Sequence, residues 1–110
     1  MQRRLRLRHR EDFQRLRAEG RTWAHPLLVL SIAPNQLPHN RYGVITARKL
    51  GGAVARNRVK RRIREAARHL HPRIAPGHDV IFIARPRVNT CAYAELLEAM
   101  ERLLQRAGVM

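Results

Sequence analysis

Apolar residues recur along this chain in two rhythms, one of helices and one of strands. From Glu11 to Glu19, Phe13 and Leu16 share a helical face, acids stand in the first turn and Gly20 follows as a stop, which predicts a short helix. Residues 27–33 (Leu-Leu-Val-Leu-Ser-Ile-Ala) are apolar and rich in strand formers. The turn formers Pro34, Asn35, Pro38 and Asn40 lead from them into a second strand, Tyr42 to Ala47, so the pair reads as an antiparallel hairpin. Gly51 and Gly52 open a long helix that runs to about Leu70 and closes at His71-Pro72. Pro76-Gly77 then turns the chain into a buried strand, Asp79 to Ala84, ended by Pro86. With Thr90 as N-cap, a last amphipathic helix carries Tyr93, Leu96, Leu97, Met100, Leu103, Leu104 and Ala107 at helical spacing, a stripe that reads as core. The residues alone therefore give αββαβα, an α+β sandwich with no internal repeat or low-complexity linker.

The long helix has two unlike sides. At ~100° per residue, Ala55, Val59, Ile63, Ala66, Ala67 and Leu70 form one apolar arc that must pack on the sheet. Asn57, Lys60, Arg61, Arg64 and Arg68 fall opposite, with Arg58 and Arg62 on one shoulder and Arg56 on the other. A solvated helix usually alternates signs so that neighbours three and four apart attract. Here like charges stack, and Glu65 is the only acid among them, so a negative partner is expected against this face.

Composition strengthens that expectation. The 110 residues have room for one domain, residues 1–110, and hold 23 Lys and Arg against 8 Asp and Glu, a net charge of +15. Such an excess repels itself and calls for a polyanion. Only Lys49 and Lys60 are lysines, and arginine suits two-point capture of phosphate oxygens. The charge lies in a basic N-terminal arm, residues 1–10, in the first helix, and in the helix of residues 53–70, while the tail from Asn89 is near neutral. The single cysteine, Cys91, cannot pair within the chain and reads as a helix or core residue of a protein from a reducing compartment. No apolar run approaches the ~18 residues that span a bilayer, and the Arg-rich start lacks the apolar segment of a secretory signal.

Nothing in the sequence points to catalysis by side chains. There is no carboxylate pair and no nucleophile beside a base, and Gly51-Gly52 with one lysine lacks the spacing of a nucleotide loop. His69 and His71, two apart at a helix end, diverge and have no third ligand nearby, so no metal site is expected. A DNA recognition helix would alternate base-reading and phosphate-contacting positions. Arginines on several sides of one helix suit a curved RNA phosphate surface better.

The run from Arg48 to Glu65, Arg-Lys-Leu-Gly-Gly-Ala-Val-Ala-Arg-Asn-Arg-Val-Lys-Arg-Arg-Ile-Arg-Glu, resembles the signature of the bacterial ribonuclease P protein family, centred on an Arg-Asn-Arg element. Asp12-Phe13-Gln14 with Gly20, Leu28-Val29-Leu30, Arg41 and Gly43, and Gly77 with Asp79 to Arg85 extend the resemblance over nearly the whole chain. It implies a single-domain αβββαβα sandwich like that of a ribosomal-protein domain, in which a left-handed βαβ crossover breaks the usual handedness rule. It also implies a cytoplasmic ribonucleoprotein enzyme that removes the 5′ leader of precursor tRNA. The cleavage would belong to a catalytic RNA with Mg2+, the protein side chains binding no cofactor, and neither a membrane nor a small-molecule substrate is implied.

On this resemblance Lys49, Arg56, Asn57, Arg58, Lys60, Arg61, Arg64 and Arg68 are expected to bind the catalytic ribonuclease P RNA. Phe13, with Arg17 one turn on, is expected in a cleft for the single-stranded leader. Many relatives have a second aromatic where Arg17 stands and a tyrosine where Ser31 stands, so the cleft here would lean on charge more than on stacking. Phe13 could equally be a core residue under the first helix, and Trp23 either packs beside a strand or adds an aromatic to the cleft. The rival to this reading is a ribosomal-type RNA-folding protein of similar charge.

Overall fold

The computed structural model describes residues 2–110. Three α-helices, α1 (Arg10–Glu19), α2 (Ala53–Leu70) and α3 (Tyr93–Arg106), pack on one four-stranded sheet of β1 (Arg21–Ala24), β2 (Leu28–Pro34), β3 (Arg41–Thr46) and β4 (His78–Ala84). The three strands before α2 agree with the family pattern. Reading the residues alone misses β1, which is four residues long and mostly exposed, with no apolar alternation to reveal it.

The strand order is β1-β2-β4-β3, so β2 and β3 are not a hairpin. β4 inserts between them, antiparallel to β2 (Leu30 opposite Phe82) and parallel to β3 (Val44 opposite Phe82). The reason is burial. Five of the seven residues of β4 are buried, as befits a central strand covered on both faces. The segment 35–40 therefore spans a strand's width, held by Asn35, whose side chain accepts from Leu37 N–H and donates to His39 O and to Asp79.

Alternation along the strands separates two faces. Leu28, Leu30, Ile32, Tyr42, Val80 and Phe82 point to the main core, where α2 supplies Val59, Ile63, Ala66, Ala67 and Leu70 and α3 supplies Leu96, Met100, Leu103 and Leu104. Each of the larger of these, the Val, Leu, Ile, Met and Phe side chains, contributes about 1.5–3 kcal/mol when removed from water, which is why the α2 register is set by its apolar arc. Ala33 and Ile81 point the other way, to a smaller cluster under Leu16 of α1 and Leu7. Gly20 ends α1 with extended backbone; what excludes a side chain there is that a Cβ would lie 2.5 Å from Leu16 O and 2.8 Å from Ser31 Oγ.

Two further details concern the N-terminal arm, whose packing the sequence left open, and the start of α3, where an expectation changes. Part of the N-terminal arm is docked: Leu7 N–H donates to Tyr42 O at 2.7 Å along the β3 edge, and Leu5 and Leu7 are buried on opposite sides of it. α3 starts at Tyr93, not after Thr90, because Thr90 lies in a 3₁₀ turn with its hydroxyl donating to Arg87 O, and Glu95 instead bonds back to Ala92 N–H.

Candidate nucleic-acid interface

With its apolar arc on the sheet, α2 must present the rest of its surface outward. Asn57, Arg58, Arg61 and Arg68 are exposed, and Arg56, Lys60 and Arg64 are half-buried. Lys49 joins them from the turn before the helix. That turn is held firmly: Leu50 is buried, its carbonyl accepts from Asn89 Nδ2 at 2.6 Å, and Gly51 adopts φ +130°, a conformation open to glycine.

Charge pairing divides these residues. Among the described residues, no carboxylate lies within 4 Å of Lys49, Arg56, Arg58, Lys60, Arg61 or Arg64. Arg56 Nε is buried without a hydrogen-bond partner among them. Arg68 differs, because it is paired with Glu65 one turn back. Arg62, which looks like its neighbours in sequence, folds inward and donates to Val88 O and to Cys91 O, the latter at 2.7 Å. Burial, and then the nearby Arg6 of the docked N-terminal segment, lower the pKa of Arg64, so arm and helix bring like charge to one face.

The second group lies on the other face of the sheet. Phe13 hangs from α1 over Gly43, where a Cβ would lie 2.7 Å from its ring. Arg10, Gln14, Arg17, Ala18 and Ile45 complete with it a shallow concavity of about 510 Å³. Half-buried Val29, Ile83 and Ile45 lie side by side across β2, β4 and β3 on this face, an apolar floor that sequence reading missed because strand neighbours are not sequence neighbours. α1 is fixed above it by ion pairs of Arg15 with Asp79 and of Arg41 with Asp12, and by Ser31 Oγ donating to Leu16 O. Phe13 is thus both packed and at the rim. Ser31 is buried, and Trp23 is placed on the opposite face, against the main core with Arg21 5.2 Å over its ring, so it adds nothing to this concavity.

What the geometry offers is binding. Among the described residues no three His, Cys, Asp or Glu side chains cluster as metal ligands, and His71 Nδ1 is taken by the Tyr42 hydroxyl at 2.7 Å. No described helix is long and apolar enough to cross a membrane.

Comparison with known proteins agrees with this picture. The ribonuclease P family profile matches residues 1–108. The ribonuclease P protein component of Roseiflexus castenholzii is 52% identical over 100% of this chain and 91% of its own length, and that of Herpetosiphon aurantiacus is 51% identical over 97% and 87%. Among solved structures, the RNase P protein of Staphylococcus aureus superposes with a TM-score of 0.87 at 32% identity, covering 96% of each chain. That of Thermotoga maritima gives 0.85 at 30% identity, covering 92% of this chain and 96% of the other. The chain belongs to the ribonuclease P protein family, the protein component of the enzyme that matures the 5′ ends of tRNAs.

Proposed function

We propose that the α2 face binds the catalytic RNA of ribonuclease P, while the α1–sheet concavity on the opposite face takes the 5′ leader of precursor tRNA. The observation that carries this is the set of cations on α2 and the turn before it, Lys49, Arg56, Arg58, Lys60, Arg61 and Arg64, that have no carboxylate within 4 Å among the described residues. Each is a donor left for phosphate oxygens, and each phosphate neutralised releases counterions, which drives association. Arg56, Asn57, Arg58, Lys60 and Arg61 supply the contacts. Arg68 joins them by exchanging Glu65 for phosphate.

In the concavity Phe13 offers its ring and Arg17 a charge with no carboxylate within 4 Å among the described residues, above the floor of Ile45 and Ile83. A single strand laid there would meet apolar surface for its bases and charge for its backbone. With one partner on each face of the sheet, the protein holds the leader at a set distance from the catalytic RNA, and its contribution to rate is positioning. In this reading the Mg2+ of the holoenzyme belongs to the RNA, where it would stabilise the charge of phosphodiester cleavage. The working compartment is the cytoplasm.

The test is cleavage of a 5′-extended precursor tRNA by a bacterial ribonuclease P RNA at low magnesium, with and without this protein. Stimulated cleavage at the mature 5′ end, absent with protein alone, is expected. Tight RNA binding without stimulation would move the assignment to an RNA-folding role.

A further inference from the structure

The two flanks of α3 meet different surroundings. On one, Tyr93 lies near Glu65, Arg68 and Arg62 of α2, and Glu101 pairs with Arg73 just past the end of α2 at 2.7 Å. On the other, Glu95, Glu98 and Arg102 look across a cleft of about 330 Å³ to His25 and Leu27 in the turn between β1 and β2 and to Arg87 beyond β4. A second hollow of about 420 Å³ continues around the same turn, between His25, Pro26, Arg85 and Arg87. Arg106, at the end of α3, donates to Ala24 O at 2.9 Å and ties helix to turn.

His25 is held in one orientation. Its Nδ1 accepts from Leu27 N–H at 3.0 Å, so the neutral ring carries its proton on Nε2 and can donate from there. Burial, and then the charges of Arg102, Arg106, Arg85 and Arg87, lower its pKa, so at neutral pH it is a neutral donor inside a ring of cations. The two acids at the cleft are engaged: Glu95 accepts from Ala92 N–H at 3.2 Å and Glu98 from Arg102 at 2.7 Å. Among the described residues Arg85, Arg87 and Arg106 have no carboxylate within 4 Å.

Guanidinium groups gathered from the end of β4, the turn after it and α3 repel one another, and they remain together at a cost that an anion would remove. Their forked donors match phosphate oxygens. We propose that His25, Arg85, Arg87, Arg102 and Arg106 form a second phosphate-binding surface, on the flank of α3 turned away from α2, that holds an RNA backbone segment separate from the one on α2. This rests on the chain working in complex with RNA and adds a further anchoring point, so that one small protein can tie together two stretches of RNA backbone. The phosphates could belong to the catalytic RNA or to precursor tRNA.

The double variant Arg85→Ala/Arg87→Ala removes two exposed side chains that make no side-chain hydrogen bond among the described residues. Affinity is measured against salt for the ribonuclease P RNA, and for precursor tRNA binding to the holoenzyme, beside the variant Lys60→Ala/Arg61→Ala. The logarithmic salt slope is expected to fall by up to about two units for one of the two RNAs, which identifies the source of the phosphates. Unchanged slopes for both RNAs, while the Lys60/Arg61 variant loses slope, would overturn this surface and leave the α2 reading intact. No change in either variant would overturn both. Because lost charge also acts at a distance, the His25 ring is followed by NMR in the unsubstituted chain as RNA is added. A saturating shift larger than that of exposed His9 supports the site, and an unmoved His25 signal overturns it even if the slope falls.

Discussion

Arg41 and Asp79, partners in register across the parallel β3–β4 ladder, are clasped at two points, Nε donating to Oδ1 at 2.9 Å and Nη2 to Oδ2 at 2.7 Å. Asp79 is fully buried, and Arg15 of α1 and Asn35 of the preceding loop complete its shell. Because Arg41 also reaches Asp12, this one carboxylate fixes the height of α1 over the sheet, and with it the position of Phe13.

Replacing Asp79 with Ala leaves Arg15 without its carboxylate and Arg41 with only the 3.4 Å contact to Asp12, and is expected to lower stability by about 3–5 kcal/mol, read as a shift of the urea midpoint. Burial raises the Asp79 pKa, but the hydrogen bonds from Arg41 and Asn35 and the charges of Arg41 and Arg15 outweigh it, and the net result is below 3.8. A carboxylate depressed on folding contributes stability that is fully present above its unfolded pKa and is lost as pH falls through the folded value. Stability of the unsubstituted chain should therefore drop on acidification below about pH 4. Asp79→Asn should flatten that limb, and an acid limb of the same size in both proteins would refute the assignment.

Phe13 and Gly43 form a second coupled pair. Gly43→Ala would drive a methyl to 2.7 Å from the Phe13 ring, so the ring must leave its seat. The expected result is a higher KM for leader-bearing precursor tRNA with unchanged affinity for the catalytic RNA. Phe13→Ala should raise the same KM, and the double variant should do little more than either single one, since the two changes act on one contact. Strict additivity would show that Gly43 acts elsewhere.

Arg61 and Arg62 are neighbours with opposite prospects. Arg61→Ala should reduce the salt slope of catalytic RNA binding by about one unit at little cost to folding. Arg62→Ala leaves Cys91 O without its guanidinium donor and Val88 O with only the Cys91 thiol, and should cost about 1–3 kcal/mol of stability, with the slope unchanged. Equal slopes for the two variants would mean that Arg62 also reaches RNA.

Much of this molecule is determined locally and is legible in the order of its residues. The helices, the apolar arc of α2, the stripe of α3 and the excess positive charge follow from 3.6-residue periodicity and composition, and the Arg48–Glu65 run carries the family resemblance. What the tertiary structure decided is which distant segments meet. Strand partners are chosen by burial on both faces, so β4 came between β2 and β3 and the expected hairpin did not form. The small, polar β1 gained its place only from pairing with β2. The same holds for the site: Arg62 is told from Arg61 by two carbonyls that arrive from beyond β4, and Trp23 is parted from Phe13 by which side of β1 it leaves. Periodicity and charge are properties of neighbours in sequence, whereas partners, faces and burial exist only once the chain has closed on itself.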